Sequence, residues 1–312
     1  MRRLLTLFDI NPSEFNGLLK LASELKSKML AGNRPALLPG YVQGLLFEKQ
    51  SLRTRVSFES AMAHLGGSSI YLGSDAGWGK REIIADFGRV LSQYVDVLVF
   101  RGHGHKDLEE LAEHCQCPVI NGLTDFSHPC QALADLLTFQ ETAGPLAGGK
   151  LTFVGDGNNV ARSLAVACAL AGTEMMLACP PGYELPDEFV SRVKKQYPDF
   201  KLGQTNDAQA AVEGANAVYT DVWASMGQEG EKEKRLRDFA EFQVNAELMR
   251  HASDTACFMH CLPAHRGEEV TDEVIDSPAS VVVQQAANRM HTQKAVLVWL
   301  LQGGRVQVSG VG

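Results

Sequence analysis

Apolar positions along this chain follow two alternating spacings. From Pro12 onward, Phe15, Leu18, Leu19, Ala22 and Leu25 recur at helical intervals and form one apolar face. Asn11 or Ser13 can cap that helix, and Pro12 suits its first turn. Beyond it, short apolar runs at 45–47, 70–72, 95–100 and 118–120 have the length and residue types of strands. Pro118 fits only as the first residue of its strand. Helix-like stretches lie between them at 54–64, 82–93 and 107–114, and a longer one spans 129–142.

The segment Ala143-Gly144-Pro145-Leu146-Ala147-Gly148-Gly149 breaks the pattern, which then restarts. Strands are expected at 151–154, 175–179, 217–220, 256–259 and 281–283, with helices at 160–171, 188–195 and 286–301. Strand alternating with helix predicts the α/β class: two doubly wound domains with largely parallel sheets. The expected domains are 1–142, completed by a C-terminal helix from 286–312, and 143–285. A chain of 312 residues is long enough for two such cores.

Composition narrows the partners. Apolar residues make up 45% and charged residues 21%, which is ordinary for a globular protein. Twenty-nine basic against 37 acidic residues give a net charge of −8, without basic runs, which argues against a nucleic-acid partner. Seven scattered cysteines fit reduced thiols and a cytoplasmic setting better than a disulfide framework. No apolar run reaches a membrane span. Asp9, Pro12 and Glu14 interrupt the basic, apolar N-terminus before a signal-like core forms.

In parallel sheets ligands bind beyond the carboxyl ends of the strands, so the residues following each strand carry the candidate chemistry. Ser51, Arg53, Thr54 and Arg55 surround a strand-to-helix turn, where hydroxyls, helix amides and guanidiniums suit a phosphate. A plain cap with solvated arginines has the same pattern. Arg101 follows a strongly apolar strand, where a surface ion pair is the ordinary alternative. His128 and Gln131, one turn apart at a helix start, can both donate to one carbonyl oxygen, although His128 could equally cap. Gly155-Asp156-Gly157-Asn158-Asn159-Val160 lacks the third glycine of a dinucleotide fingerprint. No carboxylate ends the next strand, so a turn presenting Asn158 and Asn159 is preferred to a nicotinamide site. Asp221 ends a strand and suits a cationic amine. His260-Cys261-Leu262-Pro263 places an imidazole and a thiol at another strand end. Adjacent His and Cys make poor joint ligands, so no metal site is read there.

Taken together, Ser51-Leu52-Arg53-Thr54-Arg55, Arg101, His128-Pro129-Cys130-Gln131, His260-Cys261-Leu262-Pro263 and Asn288-Arg289-Met290-His291 resemble the motifs of the transcarbamylases, in order and spacing. Asp221-Val222-Trp223-Ala224-Ser225-Met226-Gly227 and the His-Cys-Leu-Pro turn are similar to the ornithine branch. The resemblance implies a carbamoyl phosphate domain followed by an ornithine domain, joined by the helix after His128, with the last helix crossing back. It also implies a homotrimer and no cofactor. Ser51, Arg53, Thr54 and the Leu52 backbone would hold the phosphate. Arg101, His128 and Gln131 would hold the carbamoyl carbonyl. Arg289 and the backbone of Cys261 and Leu262 would also reach carbamoyl phosphate. Asn159, Asp221, Ser225 and Met226 would hold ornithine, and Asp221 or Cys261 would deal with the proton of its amine. The polar segment 227–234, with Gly227 and Gly230 as hinges, would be a lid. The chain departs from the family pattern at Leu52 and Ala287, which replace common Thr and Glu. It departs again at Gly77, where some relatives lend a Gln to a neighbouring subunit.

Overall fold

The computed structural model describes residues 2–224 and 229–303. The chain divides into two compact units, the first comprising Met1–Ala134 with Ala287–Gly312 and the second Asp135–Ala286.

Unit 1 begins with α1 (Pro12–Leu30). Asn11 caps it reciprocally with Glu14: Asn11 Oδ1 accepts from Glu14 N, and Glu14 Oε2 accepts from Asn11 N. Then follow β1 (Val42–Phe47), α2 (Leu52–His64), β2 (Ser68–Leu72), α3 (Ile84–Leu91), β3 (Val97–Arg101), α4 (His105–His114), β4 (Val119–Leu123) and α5 (Pro129–Thr142). The four strands run parallel in the order β2-β1-β3-β4. Leu46, Leu98, Phe100, Leu108, Leu111 and Val119 build its core. Continuous apolar runs such as Val97–Phe100 follow from burial on both sheet faces.

Unit 2 contains β5 (Lys150–Val154), α6 (Asn159–Ala171), β6 (Glu174–Ala178), α7 (Asp187–Gln196), β7 (Leu202–Thr205), α8 (Ala208–Val212), β8 (Ala217–Thr220), α9 (Lys232–Asp238), α10 (Ala246–Met249), β9 (Cys257–His260) and α11 (Asp272–Ile275). Its five strands are also parallel, in the order β7-β6-β5-β8-β9. The last helix, α12 (Val282–Leu301), starts in unit 2 and continues into unit 1, as α5 passes from unit 1 to unit 2. In unit 1, Lys26 Nζ donates to Asn288 Oδ1 at 2.8 Å and Lys294 Nζ donates to the Leu25 carbonyl at 3.3 Å, tying α12 to α1.

Two expectations differ from what is observed. Residues 281–283 do not form a strand. Phe258 pairs with Ser280 in a single bridge, and the chain turns into α12 at Val282. Three consecutive valines from 281 carry β-propensity, but burial of Val282 on a helix outweighs it. Conversely, β7 was not foreseen, because Leu202-Gly203-Gln204-Thr205 holds one large apolar residue. As an edge strand it needs no more.

Candidate active site

Each sheet has one point where successive strands are laid down on opposite sides, leaving a crevice at the carboxyl ends. In unit 1 that point lies between β1 and β3, and in unit 2 between β5 and β8. The chemically capable residues stand at both.

In unit 1, β1 delivers the Ser51–Thr54 turn and β3 delivers Arg101. Ser51 occupies the N-cap of α2 but makes no capping hydrogen bond, unlike Asn11 on α1. Its hydroxyl instead meets Thr54 Oγ1 at 3.2 Å. The helix amides therefore point at a place where the cap oxygen is not spent, which is the condition for an anion. Thr54 is fully buried, and its Oγ1 also accepts from Arg101 Nη1 at 2.9 Å and from Arg289 Nη2 at 2.8 Å. Two guanidiniums thus converge on one hydroxyl. The two arginines of the turn part company. Arg55 is held by Glu59 at 2.9 Å and stacks on Tyr71, whereas half-buried Arg53 has no hydrogen bond or ion pair to another described residue. Leu52 exposes 77% of its surface, so its side chain does not fill the turn.

A register shift against β4 falls between Phe100 and Arg101, so the strand pairing changes where the arginine leaves the sheet. The loop after β4 is pinned by buried Asn121, whose Nδ2 donates to the Leu5 carbonyl, to Thr124 Oγ1 and to the Ser127 carbonyl. That loop carries His128 and Gln131 at the start of α5, 4% and 1% exposed. Burial and the neighbouring Arg289 and Arg101 charges hold the His128 imidazole well below its usual pKa. A neutral imidazole donates a hydrogen bond without adding a third charge beside the guanidiniums.

Glu48, directly after β1, was missed by sequence reasoning. Its Oε1 accepts from Trp78 Nε1 at 2.9 Å and its Oε2 from His103 N at 2.8 Å. Trp78 packs against Phe87 and Phe100. The loop around Gly77 is thereby tethered to the sheet edge of its own unit. Gly77 itself has φ +76, a conformation that a Gln would adopt only under strain.

In unit 2, β5 leads into the Asp156–Asn159 turn and β8 into Asp221. A Cβ at Gly157 would lie 2.6 Å from the Glu184 carbonyl carbon, so close backbone approach requires glycine there. Asn158 does two jobs. Its Oδ1 caps α6 by accepting from Val160 N and Ala161 N, and its Nδ2 donates to Asp221 Oδ2 at 3.0 Å. The amides that a dinucleotide pyrophosphate would need are therefore taken, which disfavours the nicotinamide reading. Asp221, 7% exposed, also accepts from Val222 N at 2.9 Å and from Cys261 Sγ at 3.0 Å. Asn159 lies half-buried at the first position of α6. Ser225 and Met226, and the start of the expected lid, lie outside the described residues.

The turn after β9 is built by hydrogen bonds to His260. Leu262 N donates to His260 Nδ1 at 2.8 Å, which assigns the proton to Nε2, and Nε2 donates to Glu269 Oε1 at 3.1 Å. His260 N donates to Gln285 Oε1, and Gln285 Nε2 donates to Asp135 Oδ1. Leu262 sits at φ +59, unusual for a branched residue, and this network holds it there. His260, Asp221 and Cys261 cluster as metal donors do, but both His260 nitrogens and both Asp221 oxygens are already engaged.

Arg235, from α9, is the other residue that sequence reasoning passed over. Its side chain is 7% exposed; Nη1 donates to Asp156 at 2.7 Å and to the Trp223 carbonyl at 2.9 Å, and Nε to Glu231 at 3.1 Å. It clamps the chain on both sides of residues 225–228 to the Asp156 turn. Burial nevertheless raises the Asp156 pKa from its ordinary value, with Arg235 opposing. A solvated Lys/Glu/Arg run around 231–237 gave no sequence signal that one arginine would be buried.

Comparison with known proteins agrees with this division. Residues 2–141 match the family model "Aspartate/ornithine carbamoyltransferase, carbamoyl-P binding domain", and residues 147–300 match the corresponding "Asp/Orn binding domain". The chain is 52% identical to the ornithine carbamoyltransferase of Pyrococcus abyssi, over 97% of this chain and 96% of that one. It is 48% identical to that of Bacillus subtilis, over 96% and 94%. The solved ornithine carbamoyltransferase of Pyrococcus furiosus superimposes with a TM-score of 0.93 at 49% identity, covering 97% of both chains. With both domain models matched in order and full-length relatives near half identity, this chain belongs to the aspartate/ornithine carbamoyltransferase family.

Proposed function

We propose that the chain is an ornithine carbamoyltransferase. It transfers the carbamoyl group of carbamoyl phosphate to the δ-amine of L-ornithine, giving L-citrulline and phosphate. The observation that carries the acceptor assignment is Asp221, a buried carboxylate at the switch point of unit 2 with Cys261 hydrogen-bonded to it. Unit 1 then takes the donor. Ser51, Arg53, Thr54, Arg289 and the Leu52 amide hold the phosphate. Arg101, His128 and Gln131 hold the carbamoyl oxygen, where negative charge grows as the amine attacks. Such donors are typically worth about 3–4 kcal/mol each. Phosphate leaves into the same α2 cradle, with no metal or organic cofactor needed for an already activated acyl group.

The nucleophile is the harder requirement. An alkyl amine has a pKa near 10.4, so reaching its neutral form at pH 8 costs about 3 kcal/mol. In this reading Asp221 and Cys261 take the amine and its proton, Asn159 the α-carboxylate, and the Cys261–Leu262 backbone the carbamoyl nitrogen; the Cys261–Asp221 hydrogen bond at 3.0 Å supports the first pair. Ser225 and Met226 complete the acceptor site by family resemblance. Aspartate, with two carboxylates, meets Asp221 with the wrong sign.

A homotrimer is part of the same reading. Exposed apolar side chains on unit 1, among them Leu52, Val56 and Ile70, support burial against another copy. Seven free thiols support a reducing, cytoplasmic setting, and no described helix is long and apolar enough to cross a membrane. The test is product formation with ornithine, putrescine and aspartate side by side. Citrulline from ornithine alone is expected, and equal use of putrescine overturns the acceptor assignment. Sedimentation of a fully active monomer overturns the trimer.

A further inference from the structure

The turn beyond Pro263 brings together a second set of donor atoms, separate from Asp221 and Cys261. One donor atom from each of His265, Glu268 and Glu269 lies within 4.8 Å of the other two. Gly267, at φ +86, reverses the chain so that Glu268 N donates back to the His265 carbonyl at 2.9 Å. Glu269 is fully buried. Its Oε1 accepts from His260 Nε2 and from His265 N at 2.6 Å, while its Oε2 is buried with no hydrogen-bond partner among the described residues. A buried carboxylate oxygen left without a donor carries the full penalty of its lost hydration, which a cation would relieve.

Among the described residues, neither neighbouring cationic side chain is bonded to that oxygen. Arg266 is drawn away onto Asp272 and Asp276. Lys232 Nζ reaches Glu268 Oε1 at 3.0 Å, leaving Glu268 Oε2 facing His265 Nδ1 at 3.4 Å. For ligand bonds of about 2.1 Å, the edge of a tetrahedron is about 3.4 Å, so these two atoms already stand at first-coordination spacing. The His265 side chain is 45% exposed, which leaves an entry side and room for water as a fourth ligand. One imidazole with two carboxylates suits a borderline divalent ion better than calcium or magnesium, which take oxygen alone.

We propose that His265, Glu268 and Glu269 form a binding site for a zinc-class divalent ion. Glu269 links that ion to the catalytic turn, because the carboxylate it would coordinate is the one that accepts from His260. Binding itself does not depend on the proposed activity, whereas any effect on turnover rests on it.

The test uses the full chain after chelator treatment, titrated with Co²⁺ by visible absorbance and with Zn²⁺ by calorimetry. Tetrahedral cobalt bands without a thiolate charge-transfer band are expected, at one ion per chain. His265→Ala and Glu268→Gln should each weaken binding at least tenfold while leaving metal-free citrulline formation unchanged, and Cys261→Ser should leave binding intact. His265 and Glu268 are exposed enough for both variants to fold, which circular dichroism checks. No binding, binding unaltered in His265→Ala, or a thiolate band lost in Cys261→Ser would each overturn the site. Normal binding by a wild type that makes no citrulline would overturn the proposed activity and leave the metal site standing.

Discussion

The two units solve opposite electrostatic problems with the same topology. Both place their chemistry where a parallel sheet reverses its strand order. Unit 1 fills that place with guanidiniums converging on the buried Thr54 hydroxyl, with a neutral His128 beside them. Unit 2 fills it with the Asp221 carboxylate, held by an amide, a backbone N–H and a thiol. The charge of the first arrangement suits an anion and that of the second a cation. The lesson is that the fold supplies only the crevice, and that the sign of the side chains decides which substrate each half takes. Both units also draw an arginine from a later helix: Arg289 of α12 reaches Thr54 in unit 1, and Arg235 of α9 holds the Asp156 turn in unit 2.

That contrast can be broken most severely at Arg235. Arg235→Ala leaves the largely enclosed Asp156 carboxylate, 12% exposed, without its guanidinium, and removing one partner of a buried ion pair typically costs about 3–5 kcal/mol. Chemical denaturation should show that loss. Ornithine KM should rise while carbamoyl phosphate binding stays near wild type, and an equal loss of both substrates would mean that the units do not divide the work.

Asp221→Asn should lower kcat/KM for ornithine by about 2–4 kcal/mol, the range for losing a buried charge-assisted partner. Carbamoyl phosphate affinity, measured separately, should change little. Normal ornithine kinetics in this variant would remove Asp221 from the acceptor site.

On the other side, Arg53→Ala should weaken carbamoyl phosphate binding by about 1.5–3 kcal/mol, as expected for a hydrogen bond to a charged group. Arg55→Ala should not, because Glu59 and Tyr71 already occupy that guanidinium. Calorimetry on both variants sharpens the distinction. Equal effects would mean that the α2 turn is read as a diffuse patch of charge.

The smallest effect concerns His128 and pH. Its folded pKa is lowered by burial and by Arg289 and Arg101, so the unfolded chain binds the proton more readily. Its contribution to stability is therefore complete above the unfolded value of about 6.5 and is lost as pH falls below it, toward the folded pKa. Between pH 7.5 and pH 5.5 this amounts to about 1 kcal/mol. Denaturation of wild type and His128→Asn at both pH values should differ by that much, and parallel curves would mean that His128 titrates normally.

Much of this was legible in sequence because its signals are local. Asn11, Pro12 and Glu14 cap a helix through bonds three residues apart, and strand runs such as Val97–Phe100 announce two-sided burial. Ser51, Arg53, Thr54, Arg101 and Asp221 could be named because they stand at a strand end or on the turn that follows it. The residues passed over act across long separations. Glu48 reaches Trp78, and Arg235 reaches Asp156, 79 positions away. Nothing in a neighbouring residue marks such a partner.

Alternation of strand and helix, with polar turns after each strand, by itself determined the α/β class, the break into two halves and the residue types at the crevices. These depend on periodicity and turn chemistry, which a few consecutive residues specify. Only the tertiary structure decided that Arg55 is spent while Arg53 is not, that Asn158 orients Asp221, and that Glu269 accepts from His260 Nε2. Hydrogen-bond partners and burial are properties of packed neighbours, and packing joins residues that the linear chain keeps apart.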